Sequence, residues 1–152
     1  MAQADNALRR DSEGLLSEHR ELIERLAELD RALEGLICYS EVYADLAGVQ
    51  CAQETARWLA GRLADHFLKE ETGVFAALSQ LGSEHDVFAR KMQREHREIS
   101  LRVESFRKAA ESFVEAIDLQ QSIGDLQDAG KSLSSFMAAH MGAEEQRYTR
   151  LR

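Results

Sequence analysis

The feature that most constrains this fold is the absence of proline from all 152 residues. Average usage of about 5% would supply roughly seven. Helix interiors exclude proline most strongly, because it removes a backbone hydrogen bond and clashes with the preceding turn. Aromatic residues make up only 7%, and β-branched residues rarely alternate with polar ones, which disfavours a β-sandwich or barrel. The sequence therefore predicts a soluble all-α domain.

Apolar residues recur in steps of three and four along four stretches, the pattern of a packed helix seam. These stretches are Leu15–Leu36, Ala52–Ala77, Met92–Ile117 and Leu126–Leu151. With short connections they predict an up-down-up-down four-helix bundle. We expect one domain over residues 1–152, with helices at roughly 12–40, 47–81, 84–117 and 122–150.

The sequence signals for the three expected turns differ in clarity. Gly82 followed by Ser83-x-x-Asp86 predicts a helix stop and then a capping box. The connection between Ser40 and Gly48 is less sharp, since apolar residues there could continue a helix. Ser122 is the expected N-cap of the fourth helix.

The two halves of the chain resemble each other. Glu18-His19-Arg20-Glu21-Leu22 reappears as Glu95-His96-Arg97-Glu98-Ile99, and His66-x-x-x-Glu70-Glu71 reappears as His140-x-x-x-Glu144-Glu145. This repeat indicates a duplicated helical hairpin with pseudo-two-fold symmetry, which would place two copies of each chemical group around one axis.

Six polar residues interrupt the apolar seams: His19, His66, Glu70, His96, His140 and Glu144. Successive histidines lie equally far from the expected turns, near residues 42, 81 and 118, so all four imidazoles should share one level of the bundle. Each glutamate follows a histidine by four residues, on the same helix face. Because an unpaired buried carboxylate costs several kcal/mol, a bound cation is the expected compensation.

Two metals side by side would satisfy this set. One would take His19 and His66, the other His96 and His140, and the two carboxylates would bridge them. Imidazole and carboxylate ligands suit two iron ions, with manganese or zinc as possible substitutes. The neighbouring Glu18, Glu71, Glu95 and Glu145 point about 100° away from the seam and are expected to be mainly surface charges. The less favoured alternative is that one of them supports a ligand or is itself a ligand. Tyr148 either bonds a bridging carboxylate or caps the bundle end, and His85 is expected to be a solvated turn residue.

At these residues the sequence resembles the hemerythrin-like, or HHE cation-binding, family of four-helix bundles, from about Ser12 to Leu151. The matching motifs are Glu18-His19, His66-Phe67-x-x-Glu70-Glu71 with Val74-Phe75, Glu95-His96 and His140-x-x-x-Glu144-Glu145. The resemblance implies a non-haem di-iron centre with an oxo or hydroxo bridge, used for O2 binding, iron sensing, or handling of peroxide and nitric oxide.

One departure from the family pattern narrows this function. Oxygen-carrying hemerythrins have two histidines a turn apart on the third helix, whereas His96 has Met92 before it and Ser100 after it. The third helix therefore supplies one imidazole fewer, which disfavours reversible O2 storage and favours sensing or redox reactivity. The ferritin-like di-iron class is also disfavoured. It needs Glu-x-x-His pairs, and none of the five histidines here has glutamate three residues before it.

Charge and composition limit the partners. A net charge of −8 disfavours nucleic acid and anionic membranes, and no apolar run approaches the roughly 20 residues of a membrane span. The first ten residues lack the apolar core of a signal sequence, and Cys38 and Cys51 form no C-x-x-C motif, so a cytoplasmic location with free thiols is expected.

The expected function is therefore that of a di-iron protein whose partner is a small diatomic ligand or peroxide. An iron-responsive sensor and a stress-related di-iron redox enzyme are the alternatives, and a binding or sensing role is favoured over a dedicated enzyme. A purely structural helical protein is disfavoured by the two seam carboxylates.

Overall fold

A computed structural model describes residues 2–36, 46–113 and 118–150, with side chains from residue 11 onward and excepting that of residue 46. Every regular element within these ranges is helical, as the sequence predicts. In chain order they are α1 (Ala2–Glu34), α2 (Leu46–Lys69), a π-helical turn (Glu70–Val74), α3 (Phe75–Ser79), α4 (Ser83–Ser112) and α5 (Leu119–Arg150).

The second long helix consists of three of these elements. Lys69 and Phe75, at the two ends of the π-helical turn, both keep right-handed helical backbone angles, so α2 runs through the turn into α3. Around the bundle, α1 packs on α2, α2 on α4, α4 on α5 and α5 on α1. This closed ring of neighbours is a four-helix bundle.

Side-chain pairs show that neighbouring helices are antiparallel. Between α1 and α2, Glu21 contacts Arg62 while the earlier residue Glu18 contacts the later residue Lys69. The other three interfaces show the same reversed order. The second long helix meets α4 through Gln53–Ala110 and Glu71–His96, and α4 meets α5 through Glu84–Arg147 and Glu95–His140. Helices α1 and α5 meet through His19–Glu145 and Asp30–Ser134. The expected up-down-up-down arrangement is confirmed.

The buried seams form two apolar clusters along the bundle axis. The larger extends from Leu36 and Phe113 to Phe67 and Met141. The smaller contains Leu15, Val74, Phe75, Leu78, Ala89, Met92 and Tyr148. In the larger cluster, a Cβ added to Gly130 on α5 would lie 2.2 Å from Leu33 Cδ1, so the glycine permits close approach of α1 and α5.

The π-helical turn shifts the phase of the second seam, which the sequence did not predict. A π turn contains more residues than an α turn, because its hydrogen bonds span five residues rather than four. Ala77, expected on the seam, is half-buried, whereas Val74 and Leu78 are fully buried.

Several predicted helix ends are wrong. α1 begins at Ala2 rather than near Ser12, consistent with the helix-favouring residues before Ser12. α5 begins at Leu119 because Asp118, rather than Ser122, supplies the cap: its Oδ1 accepts the Gln121 backbone N–H at 3.0 Å.

The turn before α4 depends on glycine rather than on the predicted capping box. Gly82 has φ of 134°, which disfavours residues with a Cβ, and no side chain caps this helix start. α4 already begins at Ser83, so Ser83 is not in the N-cap position that a capping box requires. Asp86 instead pairs with Arg90 at 2.9 Å.

Some expectations fall outside the described residues. These concern most of the Ser40–Gly48 connection, Cys38, Ile117 and Leu151. Cys51 is half-buried with a free thiol. None of the described helices combines the length and apolar character needed to cross a membrane.

Candidate metal centre

The structure brings all six predicted site residues into one buried layer of the bundle. α1, α2 and α4 each supply one histidine, the π-helical turn supplies Glu70, and α5 supplies a histidine and a glutamate. Each of the six is at most 3% exposed: His19, His66, Glu70, His96, His140 and Glu144. The layer separates the two apolar clusters, so it has hydrocarbon above and below.

The first half of the layer is centred on His19 and His66, whose Nε2 atoms lie 3.1 Å apart. His19 Nε2 is 3.4 Å from Glu70 Oε1 and 3.4 Å from Glu144 Oε2. His66 Nε2 is 3.4 Å from Glu70 Oε2. These four residues present ligand atoms that all lie within 4.8 Å of one another, a group that could hold one cation.

The second half is centred on His96 and His140. His96 Nε2 lies 3.2 Å from Glu70 Oε2 and 3.6 Å from Glu144 Oε1. His140 Nε2 lies 3.2 Å from Glu144 Oε1. With both glutamates this pair forms a second group that meets the same 4.8 Å limit. The two groups therefore share both carboxylates, the arrangement needed to bridge adjacent cations.

The spacing of the donor atoms suits coordination of a cation better than it suits hydrogen bonds between the residues. Two ligands bound at about 2.1 Å and at right-angled to tetrahedral angles lie about 3.0–3.4 Å apart, close to the 3.1–3.6 Å separations here. Among the described residues, five inward-facing ligand atoms have no hydrogen-bond partner: Glu70 Oε2, Glu144 Oε1, Glu144 Oε2, His96 Nε2 and His140 Nε2. Buried polar atoms without partners are costly, and cations in the two groups would together satisfy all five.

The four glutamates beside the ligands are partly exposed, but their carboxylates contact the outer nitrogens of the histidines, which corresponds to the less favoured of the two expected roles. Glu18 of α1 lies 2.8 Å from His66 Nδ1 of α2. The same contact links each remaining helix to the next around the bundle, in the pairs Glu71–His96 at 2.8 Å, Glu95–His140 at 2.9 Å and Glu145–His19 at 3.6 Å. We call these four glutamates the carboxylate ring.

The carboxylate ring orients the imidazoles toward the centre. Ionised carboxylates only accept hydrogen bonds, so Nδ1 must carry the proton in His66, His96 and His140. When these imidazoles are neutral, Nε2 faces inward with a free lone pair, which is the form that binds metals. The repeated Glu-His and Glu-Glu dipeptides were the sequence signal for this ring. Residues beside a helix seam face the neighbouring helix in a bundle, not only the solvent.

The electrostatics of the layer favour positive charge. Burial opposes protonation of His96, but the carboxylates of Glu144, Glu70 and Glu71 outweigh it and raise its pKa to about 9. The pKa values of His19 and His140 are raised in the same way, against burial, by nearby glutamates. Burial opposes ionisation of Glu70, yet the imidazoles of His19 and His96 outweigh it and lower its pKa.

Aromatic side chains fix two members of the layer. The Tyr148 hydroxyl donates a hydrogen bond to Glu70 Oε1 at 2.8 Å, so Tyr148 binds the carboxylate of another helix rather than Glu144 on its own. Burial, and then the negative charges of Glu144 and Glu70, raise the Tyr148 pKa and keep the hydroxyl protonated. Phe67 stacks on His96 with ring centroids 3.8 Å apart.

Residues flanking the layer on α4 supply no further ligand. Met92 packs in the smaller apolar cluster, and the Ser100 hydroxyl donates to the His96 backbone carbonyl at 2.9 Å. His85 lies in the first turn of α4, is half-buried and belongs to neither cation group. A groove of about 400 Å³ outside the layer is lined in part by Glu18 and Lys69. These two residues form an ion pair at 2.6 Å, and Glu18 also contacts His66 Nδ1.

Comparison with known proteins agrees with this site. Searches of curated proteins and of solved structures gave no significant match. A sequence model of the hemerythrin HHE cation-binding domain, however, matches residues 10–152. Domains of this kind bind metal cations, and the two His/Glu groups of the buried layer could hold them. Because the match covers nearly the whole chain, this protein belongs to the hemerythrin HHE cation-binding family.

Proposed function

We propose that the buried layer holds two iron ions and that the protein uses them to bind, or react with, O2, peroxide or nitric oxide. His19 and His66 would hold one ion, and His96 and His140 the other. Glu70 and Glu144 would bridge the two ions. The observation that carries the proposal is the set of inward Nε2 atoms, three of them fixed by a carboxylate on Nδ1. A bound iron pair would supply the redox and ligand-binding chemistry.

Charge balance supports two divalent cations rather than one. Six carboxylates converge on the layer: Glu18, Glu70, Glu71, Glu95, Glu144 and Glu145. The described ion pairs give them only two lysine partners, Lys69 on Glu18 and Lys91 on Glu95. With neutral imidazoles, four negative charges are left, which is the charge that two divalent ions offset. Two of these charges, on Glu70 and Glu144, are fully buried, and buried charge is strongly unfavourable unless it is compensated.

The donor set supports iron among the available metals. Four imidazoles and two carboxylates combine intermediate and hard ligands, a set that suits iron and also accepts manganese or zinc. Thiolates, which select softer ions, are absent from both cation groups.

An iron-responsive sensor is the second candidate, and one observation favours it. The five ligand atoms without hydrogen-bond partners lie in the middle of the bundle core, where leaving them unsatisfied costs free energy. Cation binding would then be coupled to the stability of the whole fold. Such coupling lets a domain report metal availability through its folded state.

Metal analysis of the purified protein tests the proposal. We expect about two iron ions per chain and, in aerobically purified protein, charge-transfer bands between about 300 and 400 nm, as iron(III) bound to oxygen ligands produces. The double variant His66→Ala with Glu144→Ala should lose both, and His85→Ala, which removes a histidine outside the layer, should keep both. Unchanged metal content in the double variant would overturn the proposal. Stopped-flow mixing of the ferrous protein with O2 then separates rapid reaction from inert metal storage.

A further inference from the structure

The pseudo-two-fold symmetry of the buried layer is broken four residues after each bridging glutamate. Under the repeat, Glu70 corresponds to Glu144, and the residue four positions later is Val74 in the first copy and Tyr148 in the second. The Tyr148 hydroxyl donates to Glu70 Oε1 at 2.8 Å. Val74 has no donor to offer Glu144, and both oxygens of Glu144 have no hydrogen-bond partner among the described residues.

This difference falls on one of the two cation groups. Glu70 Oε1 lies 3.4 Å from His19 Nε2, whereas Glu70 Oε2 lies between the groups, 3.2 Å from His96 Nε2 and 3.4 Å from His66 Nε2. When Glu70 bridges two cations with one oxygen each, Oε2 serves the His96–His140 group and Oε1 is left for the His19–His66 group. A carboxylate oxygen that already accepts a hydrogen bond is a weaker donor toward a cation. In this bridging arrangement the His19–His66 group has one free carboxylate oxygen, Glu144 Oε2, while the His96–His140 group has two, Glu70 Oε2 and Glu144 Oε1.

The contacts of the carboxylate ring also favour the His96–His140 group over the His19–His66 group. Glu71 and Glu95 lie 2.8 and 2.9 Å from the Nδ1 atoms of His96 and His140. Glu145 lies 3.6 Å from His19 Nδ1, which has no hydrogen-bond partner among the residues described. Because an oriented histidine binds metal more tightly than a free one, this contact also weakens the His19–His66 group.

We propose that Tyr148 makes cation loading sequential: the His96–His140 position fills first and more tightly, and the His19–His66 position fills second. Tyr148 acts as a positioning residue through Glu70. The second cation must share Glu70 Oε1 with the hydroxyl or displace it. This inference rests on the proposed two-cation site and adds an order of occupation to it.

Calorimetric titration of the metal-free protein with ferrous iron under nitrogen tests the order. In the wild-type protein we expect two binding steps of unequal affinity. His19→Ala should abolish the weaker step and keep the tighter one, whereas His96→Ala should abolish the tighter one. If His19→Ala instead removes the tighter step, the proposed order is wrong.

Tyr148→Phe tests the cause of the order, since it removes only the hydroxyl. A hydrogen bond to a charged group contributes enough free energy to change a binding constant about tenfold. We expect the second step to tighten by about that factor and the first to stay unchanged, with the thermal transition confirming a folded variant. Equal weakening of both steps, or no change, would contradict the role of Tyr148. Failure of the wild-type protein to bind any iron would instead contradict the two-cation site itself.

Discussion

Glu71 Oε1 lies 2.8 Å from His96 Nδ1, although the two residues belong to different helices. Glu71 follows a predicted ligand, and His96 is itself one, so the contact links the π-helical turn to α4 at the periphery of the layer. Its pseudo-symmetric counterpart, Glu145 to His19, spans 3.6 Å. The two contacts offer a matched pair of variants, because the first is a hydrogen bond and the second is too long to be one.

Glu71→Gln should weaken cation binding more than Glu145→Gln does. Loss of a carboxylate that orients a metal-bound histidine typically costs about 10–100-fold in affinity. We expect a loss in that range for Glu71→Gln and a smaller one for Glu145→Gln, because the longer contact orients its histidine less. Competition with a chelator of known affinity measures both. Equal losses would show that orientation through Nδ1 does not control affinity here.

Metal removal should lower the thermal stability of the protein. A ligand that binds only the folded state stabilises it by about 4 kcal/mol when its free concentration is 1,000 times Kd, so the melting temperature should rise with added iron. The measurement compares chelator-treated protein with the same protein reloaded with iron. The double variant His66→Ala with Glu144→Ala is the control and should not respond. Identical melting with and without iron would exclude the sensor hypothesis.

Substitution of two helical glycines tests the packing of α1 against α5. Gly130→Ala places a Cβ 2.2 Å from Leu33 Cδ1, and overpacking of this kind costs about 1–3 kcal/mol. Gly124→Ala has open space around the added Cβ and should stabilise the helix by about 0.5–1 kcal/mol. Urea denaturation measures both free energies of unfolding. A Gly130→Ala variant as stable as the wild-type protein would mean that Leu33 repacks freely.

The fold and the six central residues could be predicted from the sequence because both depend on local periodicity. A helical seam shows itself in steps of three and four, and a histidine or glutamate on an apolar seam is visible as an exception. His19 and Glu144 were recognisable in this way, without knowledge of their neighbours.

The carboxylate ring and the π-helical turn could not be predicted on the same basis. Whether Glu71 meets solvent or His96 depends on how two helices are rotated against each other, which a single helix does not encode. For Tyr148 the sequence left two alternatives, a bond to a bridging carboxylate or a cap on the bundle end, because its partner Glu70 lies 78 residues away in the chain. The π turn shifts Leu78, rather than Ala77, into the core, and the residues Glu70–Val74 contain no helix-breaking proline to mark it.

The polar layer should reduce the stability of the metal-free bundle, and a paired replacement tests this. Replacing a buried ionic pair by apolar residues of similar volume is often neutral or stabilising, by up to about 4 kcal/mol. His140 Nε2 and Glu144 Oε1 lie 3.2 Å apart on α5. We expect the double variant His140→Leu with Glu144→Leu to unfold at higher urea than the metal-free wild-type protein, and to lose iron binding.

The symmetry-related variant, His66→Leu with Glu70→Leu, should gain less stability. It removes the same chemical groups, but it also leaves the buried Tyr148 hydroxyl without its acceptor Glu70, and an unpaired buried donor costs about 1–3 kcal/mol. Urea denaturation of both variants under chelator gives the difference directly. If the α5 variant is less stable than the metal-free wild-type protein, the buried layer contributes to the fold even without a cation, and metal binding is not the reason that the bundle tolerates six polar groups in its core.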